Sequence, residues 1–391
     1  TFYENPPLSL YIHLPWCVKK CPYCDFNSHE FSPLGFEEED YIEALIRDLD
    51  YELPRIWGRT VNTVFIGGGT PSLFSPEALD KLISAIRARL NIHPAIEITL
   101  EANPSTAEAK KFRCFREIGI NRLSLGVQSF NDKQLKRLGR SHDASQAHLA
   151  IEIAKEAGFE NFNIDLMFGL PEQSINDALN DLGKALSYAP KHISWYQLTI
   201  EPNTIFNSRP PTLPNDDYIW SMEEEGQTFL EAKGFKKYEI SAYAKDKYLA
   251  LHNLNYWEFG DYLGIGAGAH GKITNVAEMK IERYIRHKIP KRYIDLAGTD
   301  AVITETRVLK QDELPLEFLM NAFRLIEGVS TRLFSDRTGL LLKNSEKELL
   351  IAEELGLIEW QFDELKASSK GLRYLNELLE IGYKSSLHDK F

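Results

Sequence analysis

Cysteine is scarce in this sequence: the 391 residues contain four, and three of them lie between residues 17 and 24. A disulfide framework needs many paired cysteines, usually in a short secreted chain, so the composition argues against that class. Long apolar runs are also missing, since no stretch approaches the roughly 18 consecutive apolar residues of a membrane-spanning helix. We therefore expect a cytoplasmic protein.

Positive charge is also in deficit. The chain has 45 Lys and Arg against 57 Asp and Glu, a net charge of −12. Binding to a phosphate backbone depends on clustered cations, so nucleic acid is not expected as a partner. What the chain does have is 43% hydrophobic and 26% charged residues, an ordinary balance that is enough to bury a substantial core. Its length favours one large domain and a smaller one.

Six apolar, β-branched runs occupy the first two thirds of the chain, and each is followed by a segment with helical spacing. The runs are LSLYIHLP, VNTVFIGG, IEITLEAN, NRLSLGVQS, FNIDLMFGLP and HISWYQLTIEP. Repeated strand–helix units predict an α/β fold with parallel strands, either an open doubly wound sheet or a barrel. Glu101, Gln128 and Asp165 stand toward strand ends, where barrels place their chemistry.

The pattern changes after about residue 201, where a stretch rich in Pro, Asn and Asp follows the sixth run. From residue 305, three helical segments, a β-hairpin and a last helix predict a winged-helix-like α+β unit. This unit carries twelve Lys and Arg against sixteen Asp and Glu, so a docking or covering role suits it better than DNA binding. We predict a barrel domain over residues 1–235, a connecting region over 236–304 and the C-terminal domain over 305–391.

Cys17, Cys21 and Cys24 form a C-x3-C-x2-C loop just after the first predicted strand. A structural zinc ion needs four ligands, and His13 or His29 could complete a Cys3His set. No second cysteine pair follows, although such a pair usually supplies the other zinc ligands. Three thiolates on one loop also suit a cubane iron–sulfur cluster held at three irons, with the fourth iron open to another ligand.

This loop resembles that of the radical S-adenosylmethionine superfamily, in which an aromatic residue, here Phe26, lies close to the third cysteine. The resemblance implies a partial (β/α)6 TIM-like barrel in which Cys17, Cys21 and Cys24 are the metal ligands of a [4Fe–4S] cluster. It also implies that S-adenosyl-L-methionine binds the open iron and is cleaved to a radical by one electron. A donor such as flavodoxin or ferredoxin would supply that electron.

A glycine-rich turn, GGGTPS, follows the second strand and opens a helix. It lacks the lysine of a Walker motif and the spacing of a dinucleotide fingerprint, so a simple tight turn is one interpretation. The other interpretation is that Gly67, Gly68 and Gly69 let the backbone approach the amino-acid part of S-adenosylmethionine, with Thr70 adding a hydroxyl.

Seven motifs resemble the coproporphyrinogen oxidase-like branch of the superfamily, and the resemblance covers essentially the whole chain. The motifs are LSLYIHLPWC, GGGTPS, LEANP, GVQSFND, LGRSH, NIDLMFGLP and YQLTIEP. Carried over residue by residue, the resemblance implies S-adenosylmethionine contacts from Tyr11, Gly68, Gly69, Thr70, Glu101, Gln128, Arg140 and Asp165.

Two features separate the members of that branch. The oxidases follow the third cluster cysteine with another in a C-x-C arrangement, whereas Asp25 and Phe26 follow it here. The HNLNYW segment matches the H-N-x-x-Y-W motif associated with heme binding. The resemblance implies heme contacts from His252, Asn253, Tyr256 and Trp257, with the histidine as an axial iron ligand. The alternative is a helix start whose aromatic side chains fill a core.

The resemblance therefore implies a heme chaperone that passes heme to acceptor hemoproteins, with transient membrane association where the acceptor is membrane-bound. The alternative is an oxygen-independent coproporphyrinogen III oxidase, which would use the same cluster to decarboxylate propionate side chains. A third interpretation is a zinc-stabilised barrel with an interaction role. No residue is assigned a catalytic role. Cys114 lies among apolar neighbours and is expected to be an inert buried thiol.

Overall fold

A computed structural model describes residues 4–31, 35–361 and 363–388; the remaining residues of the predicted barrel and C-terminal domains lie outside this part of the chain. The strands, in chain order, are β1 (Leu8–Leu14), β2 (Trp16–Cys17), β3 (His29–Glu30), β4 (Thr60–Gly68), β5 (Asn91–Ala102), β6 (Arg122–Gln128), β7 (Asn161–Phe168), β8 (His192–Gln197), β9 (Lys236–Glu239), β10 (Ala242–Ala244), β11 (Asp261–Ile265), β12 (His270–Asn275), β13 (Lys280–Arg286), β14 (Ile303–Val308), β15 (Val329–Ser330), β16 (Ile358–Trp360) and β17 (Glu364–Ala367).

The helices, in chain order, are α1 (Glu38–Glu52), α2 (Pro76–Arg89), α3 (Thr106–Ala109), α4 (Phe112–Ile118), α5 (Asp132–Arg137), α6 (Ala144–Glu156), α7 (Ile175–Ser187), α8 (Ile205–Ser208), α9 (Asp216–Ala232), α10 (Leu251–Trp257), α11 (Pro290–Leu296), α12 (Leu314–Ala322), α13 (Thr331–Thr338), α14 (Glu346–Glu354), α15 (Ser369–Arg373) and α16 (Leu375–His388). Within the described residues, no helix combines the length and the apolar character needed to cross a membrane.

Twelve strands of the described residues form one sheet, in the order β14-β13-β12-β11-β1-β4-β5-β6-β7-β8-β10-β9. Strands β1, β4, β5, β6, β7 and β8 are parallel neighbours and correspond to the six predicted runs, so the predicted partial (β/α)6 barrel is confirmed. A further parallel strand, β11, pairs with the other side of β1, with Asp261 opposite Leu8. Antiparallel strands extend the sheet at both edges.

Burial on both faces explains why the parallel strands read as continuous apolar runs. Every side chain of β1 except the half-buried Tyr11 is buried. Helix caps then turn the chain from each strand into the helix that covers it. Ser75 Oγ accepts a hydrogen bond from Ala78 N at 3.2 Å to start α2. Ser174 and Asp177 form a capping box at the start of α7.

The chain after residue 308 forms a smaller unit, called here the C-terminal unit, with its own core. Helices α12, α13 and α14 are combined with a three-stranded sheet in the order β15-β17-β16, which confirms the winged-helix-like arrangement. Phe318 and Phe334 are fully buried in its core, with their rings edge to face and 5.3 Å apart. The predicted last helix is in fact two, α15 and α16, separated at Tyr374.

Backbone hydrogen bonds tie the C-terminal unit to the main sheet. Ile240 N donates to Arg324 O at 3.0 Å, and Ile326 N donates to Tyr238 O at 3.1 Å. The segment predicted as a connecting region, 236–304, carries the strands that extend both edges of that sheet. The domain boundaries at residues 235 and 304 stay predictions.

The expectation that Cys114 is buried is wrong, because its side chain is exposed on α4. Phe112 and Phe115 are buried on one face of this short helix, because they lie three residues apart. Cys114 lies between them in sequence and therefore points away from that face.

Candidate functional site

The three predicted cluster cysteines lie on the loop that leaves the carboxyl end of β1. Strands β2 and β3 pair in parallel near the two ends of this loop. Inside it, a turn places Cys24 N 3.0 Å from the carbonyl oxygen of Cys21. Asn27 holds the far side by donating from Nδ2 to the carbonyl oxygens of Ala267 and Lys288, at 2.9 and 2.8 Å. The loop is thus fixed to the segments that flank β11 and β13.

All three cysteines line one cavity of about 1400 Å³. Each sulfur lies beside a polar group that can donate to it. The pairs are Thr70 Oγ1 with Cys17 at 3.5 Å, Arg140 Nη1 with Cys21 at 3.6 Å and Ser28 Oγ with Cys24 at 3.7 Å. Burial raises the pKa of Cys17 to about 11 and also raises the pKa of Cys24, and the Thr70 and Ser28 donors oppose this rise. They thereby favour the thiolate, the form in which cysteine binds iron. The donor set and its surroundings fit an iron–sulfur cluster held by three cysteines.

The zinc alternative needs a histidine with a free ring nitrogen beside the cysteines. His13 offers none, because Nδ1 lies 2.9 Å from the Tyr11 hydroxyl and Nε2 lies 2.8 Å from the Asn27 carbonyl oxygen. His29 Nε2 is also engaged, 3.1 Å from Asn27 Oδ1, so Nδ1 is the ring nitrogen that His29 could offer. Across the described ranges, no three His, Cys, Asp or Glu side chains form a group that could hold a single metal ion.

The glycine-rich turn after β4 packs directly on the start of the cluster loop. Gly68 has a φ of +123°, and a Cβ there would lie 2.8 Å from the Leu14 carbonyl oxygen. A Cβ on Gly69 would lie 2.6 Å from the Trp16 carbonyl oxygen. Gly69 N and Thr70 N donate to these same two oxygens, both at 2.8 Å. The glycines are therefore needed to seat the cluster loop, a requirement that the sequence motif alone did not reveal.

Glu101 lies in β5 beside this turn, and its Oε2 accepts a hydrogen bond from Gly68 N at 3.0 Å. Burial raises the pKa of Glu101, the bond from Gly68 opposes the rise and the nearby Asp165 adds to it, so the pKa reaches about 7. The carboxyl group faces the cavity. Near neutral pH the carboxyl group is therefore present in both its protonated and its ionised form, which is typical of groups in functional sites.

Gln128, Arg140 and Asp165 also line the cavity. Gln128 ends β6 with a φ of +69°, and its Oε1 accepts a hydrogen bond from the Tyr196 hydroxyl at 2.7 Å. Arg140 donates from Nη2 to the Gly126 carbonyl oxygen at 2.7 Å. Seven of the eight residues predicted to contact S-adenosylmethionine thus line the same cavity as the cysteines. They are Gly68, Gly69, Thr70, Glu101, Gln128, Arg140 and Asp165.

Two residues differ from the sequence expectation. Tyr11, the eighth predicted contact, lies behind the cavity lining, with its hydroxyl engaged by His13. Arg122, which the sequence analysis missed, begins β6 and lines the cavity while only 2% exposed. Its Nε has no hydrogen-bond partner among the described residues. The only sequence signal for it was an arginine at the start of an otherwise apolar strand.

The HNLNYW segment forms α10 and places its four predicted heme contacts in two groups. Asn253 and Trp257 line the cavity, whereas His252 and Tyr256 lie behind them. His252 Nδ1 is 2.8 Å from Thr63 Oγ1, and its Nε2 is 2.9 Å from the Tyr256 hydroxyl. Burial lowers the pKa of His252 to about 3, so the ring is neutral. Both ring nitrogens have protein partners, and binding an iron would require one of these contacts to break.

Comparisons with known proteins agree with the fold. Residues 11–184 match the radical SAM superfamily, and residues 309–374 match the HemN C-terminal domain. The chain is 49% identical over 380 residues to the heme chaperone HemW of Haemophilus influenzae, covering 96% of this chain and 98% of that protein. It is 47% identical over 376 residues to the heme chaperone HemW of Escherichia coli, with the same coverage of 96% and 98%.

Among solved structures, the coproporphyrinogen III oxidase HemN of Escherichia coli superposes with a TM-score of 0.80. The match covers 97% of this chain and 90% of that one at 23% sequence identity, so it shows a shared fold. The two relatives, in contrast, are similar in sequence along almost their whole length. The chain belongs to the HemW family within the radical S-adenosylmethionine superfamily.

Proposed function

We propose that this protein is a cytoplasmic heme chaperone that holds a [4Fe–4S] cluster, binds S-adenosylmethionine beside it and passes heme to acceptor hemoproteins. The observation that carries the proposal is the single cavity lined both by the three cysteines and by seven predicted S-adenosylmethionine contacts. The names of the two relatives support the heme part, since both are heme chaperones.

Cys17, Cys21 and Cys24 would hold the cluster, which when bound supplies one iron with an open coordination position and one transferable electron. The Thr70 hydroxyl and the Arg140 guanidinium lie against two of the three sulfurs and stabilise their negative charge. The three cysteines would hold the cluster, and Thr70 and Arg140 would contribute to its electrostatic environment. A flavodoxin or ferredoxin would be a suitable electron donor.

Glu101 is the acceptor in the cavity for the ammonium or ribose hydroxyl groups of S-adenosylmethionine. Because its pKa is about 7, it accepts more strongly at pH 8 than at pH 6. Gln128 is oriented by the Tyr196 hydroxyl, and Asp165 by Asn163 Nδ2 at 2.7 Å, so both offer fixed polar groups to the rest of the ligand.

Heme would contact Asn253 and Trp257, the two residues of α10 that line the cavity. Ligation of the heme iron by His252 stays part of the proposal, but it requires the ring to give up the Thr63 or Tyr256 contact. The acceptor would be a soluble or membrane-bound hemoprotein, reached in the second case by transient membrane association.

A transfer assay tests this function. The anaerobically reconstituted protein is loaded with heme and mixed with an apo-hemoprotein, and the absorption spectrum of the acceptor is followed over time. We expect heme to move to the acceptor, and we expect no decarboxylation of coproporphyrinogen III by the same preparation with reductant and S-adenosylmethionine. Decarboxylation without transfer would instead establish the oxidase alternative, against which the Asp25-Phe26 pair counts.

A further inference from the structure

Two tryptophans on the wall of the cavity are each covered by an arginine of the C-terminal unit. The Arg324 guanidinium carbon lies 4.2 Å from the ring centre of Trp257, on α10. The Arg373 guanidinium carbon lies 4.6 Å from the ring centre of Trp220, on α9. All four side chains line the cavity. One end of the cavity is thus walled by two cation–π pairs that join α9 and α10 to the C-terminal unit.

Hydrogen-bond donors in this wall lack acceptors. Among the described residues, neither Arg324 Nε nor Trp257 Nε1 has a hydrogen-bond partner. The nearest carboxylate to Arg324 is Glu239, whose Oε2 is 3.7 Å from Nη2, too far for a hydrogen bond. Buried polar groups are nearly always satisfied in folded proteins, so this part of the wall is incompletely paired, and Glu239 Oε2 also lacks a partner among the described residues.

The arginines at this end of the cavity lie close to carboxylates, but these leave part of each guanidinium group without a partner. Glu239 lies beside Arg324, and Glu223 forms an ion pair with Lys237 at 2.8 Å. One guanidinium nitrogen of Arg373 lies 3.5 Å from a carboxylate oxygen of Asp217. A guanidinium group has five N–H donors in a planar fork that matches a carboxylate, so both arginines keep donors for a further partner. The exposed Glu224 adds a further negative charge to this wall.

We propose that this end of the cavity is a carboxylate subsite for a flat tetrapyrrole, with Arg324 and Arg373 binding the propionate groups and the two tryptophans contacting the ring. The subsite rests on the heme-binding function proposed above. It recognises the porphyrin periphery and not the metal, so it needs no axial ligand from α10. Because the arginines belong to the C-terminal unit and the tryptophans to α9 and α10, tetrapyrrole binding would require both parts of the chain.

Three probes separate recognition of the carboxylates from recognition of the iron. Hemin carries both, protoporphyrin IX carries the carboxylates without iron, and hemin dimethyl ester carries iron with both carboxylates blocked. We expect the unmodified protein to bind hemin and protoporphyrin IX saturably, as followed by Soret absorption and tryptophan quenching. The dimethyl ester should bind about tenfold more weakly than hemin, since charge-assisted hydrogen bonds are lost.

Arg373→Ala is the cleaner variant, because Arg373 is exposed and its removal leaves no buried charge. It should weaken binding of hemin and protoporphyrin IX roughly three- to tenfold and leave dimethyl ester binding within twofold. Arg324→Gln is combined with Glu239→Gln so that no buried carboxylate is left unpaired, and the melting temperature of each variant is checked. Arg332→Ala is the matched control, since Arg332 lies in the C-terminal unit and is 88% exposed.

Failure of the subsite and failure of the function give different results. If the unmodified protein binds hemin but both arginine variants match the Arg332→Ala control, the subsite is wrong while the heme function stands. Equal affinity for hemin and its dimethyl ester would overturn the subsite in the same way. If the unmodified protein binds none of the three probes, the heme function fails and the subsite fails with it.

Discussion

The hydroxyl of Tyr256 lies 2.9 Å from Nε2 of His252, one turn earlier on the same helix. The histidine is 1% exposed, and its other ring nitrogen contacts Thr63. An iron that reaches Nε2 must therefore displace the tyrosine. The motif that resembles a heme site is, in this structure, a closed hydrogen-bonded arrangement.

This relationship predicts opposite effects for two substitutions. Tyr256→Phe removes the competing hydroxyl and should tighten hemin binding severalfold, since a hydrogen bond contributes about 1 kcal/mol. His252→Ala should weaken hemin binding and shift the Soret band. Hemin titration measures both, with Tyr218→Phe as a control that removes a half-exposed hydroxyl on α9. Unchanged hemin binding in His252→Ala would show that the histidine serves only in packing.

Glu101 predicts a pH dependence with a definite sign. Its folded-state pKa is about 7 against an ordinary value of 4.5, so the folded protein holds a proton there that the unfolded chain releases. Folding stability should therefore fall as pH rises from about 4.5 to 7, with the full penalty present above pH 7. Glu101→Gln should gain roughly 1–3 kcal/mol at pH 8 and nothing at pH 4.5.

The same carboxyl group should control S-adenosylmethionine binding. Affinity of the unmodified protein should decline as pH falls through 7, because the protonated group no longer attracts a cationic ligand. Glu101→Gln should bind weakly at every pH. Calorimetric titrations at pH 6 and pH 8 check both statements, and a flat profile in the unmodified protein would mean that Glu101 does not face the ligand.

The glycine-rich turn predicts a structural effect that appears before any ligand is added. Gly68→Ala and Gly69→Ala place a Cβ less than 3 Å from backbone atoms at the end of β1 and the start of the cluster loop, and Gly68 also has a positive φ. Each should lower stability by about 1–3 kcal/mol and reduce cluster content after reconstitution. Gly183→Ala is the matched control, since its Cβ would meet only Phe229 Cζ at 3.9 Å. Thermal unfolding that shows equal stability for all three variants would contradict the packing argument.

The cysteine loop predicts which thiols carry iron. Reconstitution under anaerobic conditions should give about four irons and four labile sulfides per chain. Replacing Cys17, Cys21 or Cys24 by Ala should abolish the visible iron absorption, whereas Cys114→Ala, at an exposed position, should leave it intact. Stoichiometric zinc without labile sulfide in freshly purified anaerobic protein would contradict the assignment.

The fold was predictable from sequence where the pattern is local. Burial on both faces makes each central strand a continuous apolar run, and these runs marked β1, β4, β5, β6, β7 and β8. The seventh parallel strand, β11, was not predicted, because it pairs with β1 about 250 residues earlier, and a short run such as DYLGI carries no information on its partner. Long-range pairing of this kind is decided by tertiary packing.

The site was predictable where the chemistry requires a fixed spacing. Three cysteines on one loop and a glycine-rich turn are recognisable in sequence, and both lie on the cavity. Arg122, Arg324 and Arg373 were not recognised, because a single arginine carries no local pattern that distinguishes a surface charge from one that faces a cavity. Their position on the cavity follows only from the packing of β6 and of the C-terminal unit.

The central claim, that the radical S-adenosylmethionine scaffold of this chain serves as a heme carrier, is tested most directly by one titration. Hemin is added to the anaerobically reconstituted protein without S-adenosylmethionine, and the Soret band is followed. We predict saturable binding at a single class of site, with the cluster absorption preserved. A Soret response that rises linearly without saturation, no different from that of hemin with an unrelated protein, would contradict the account.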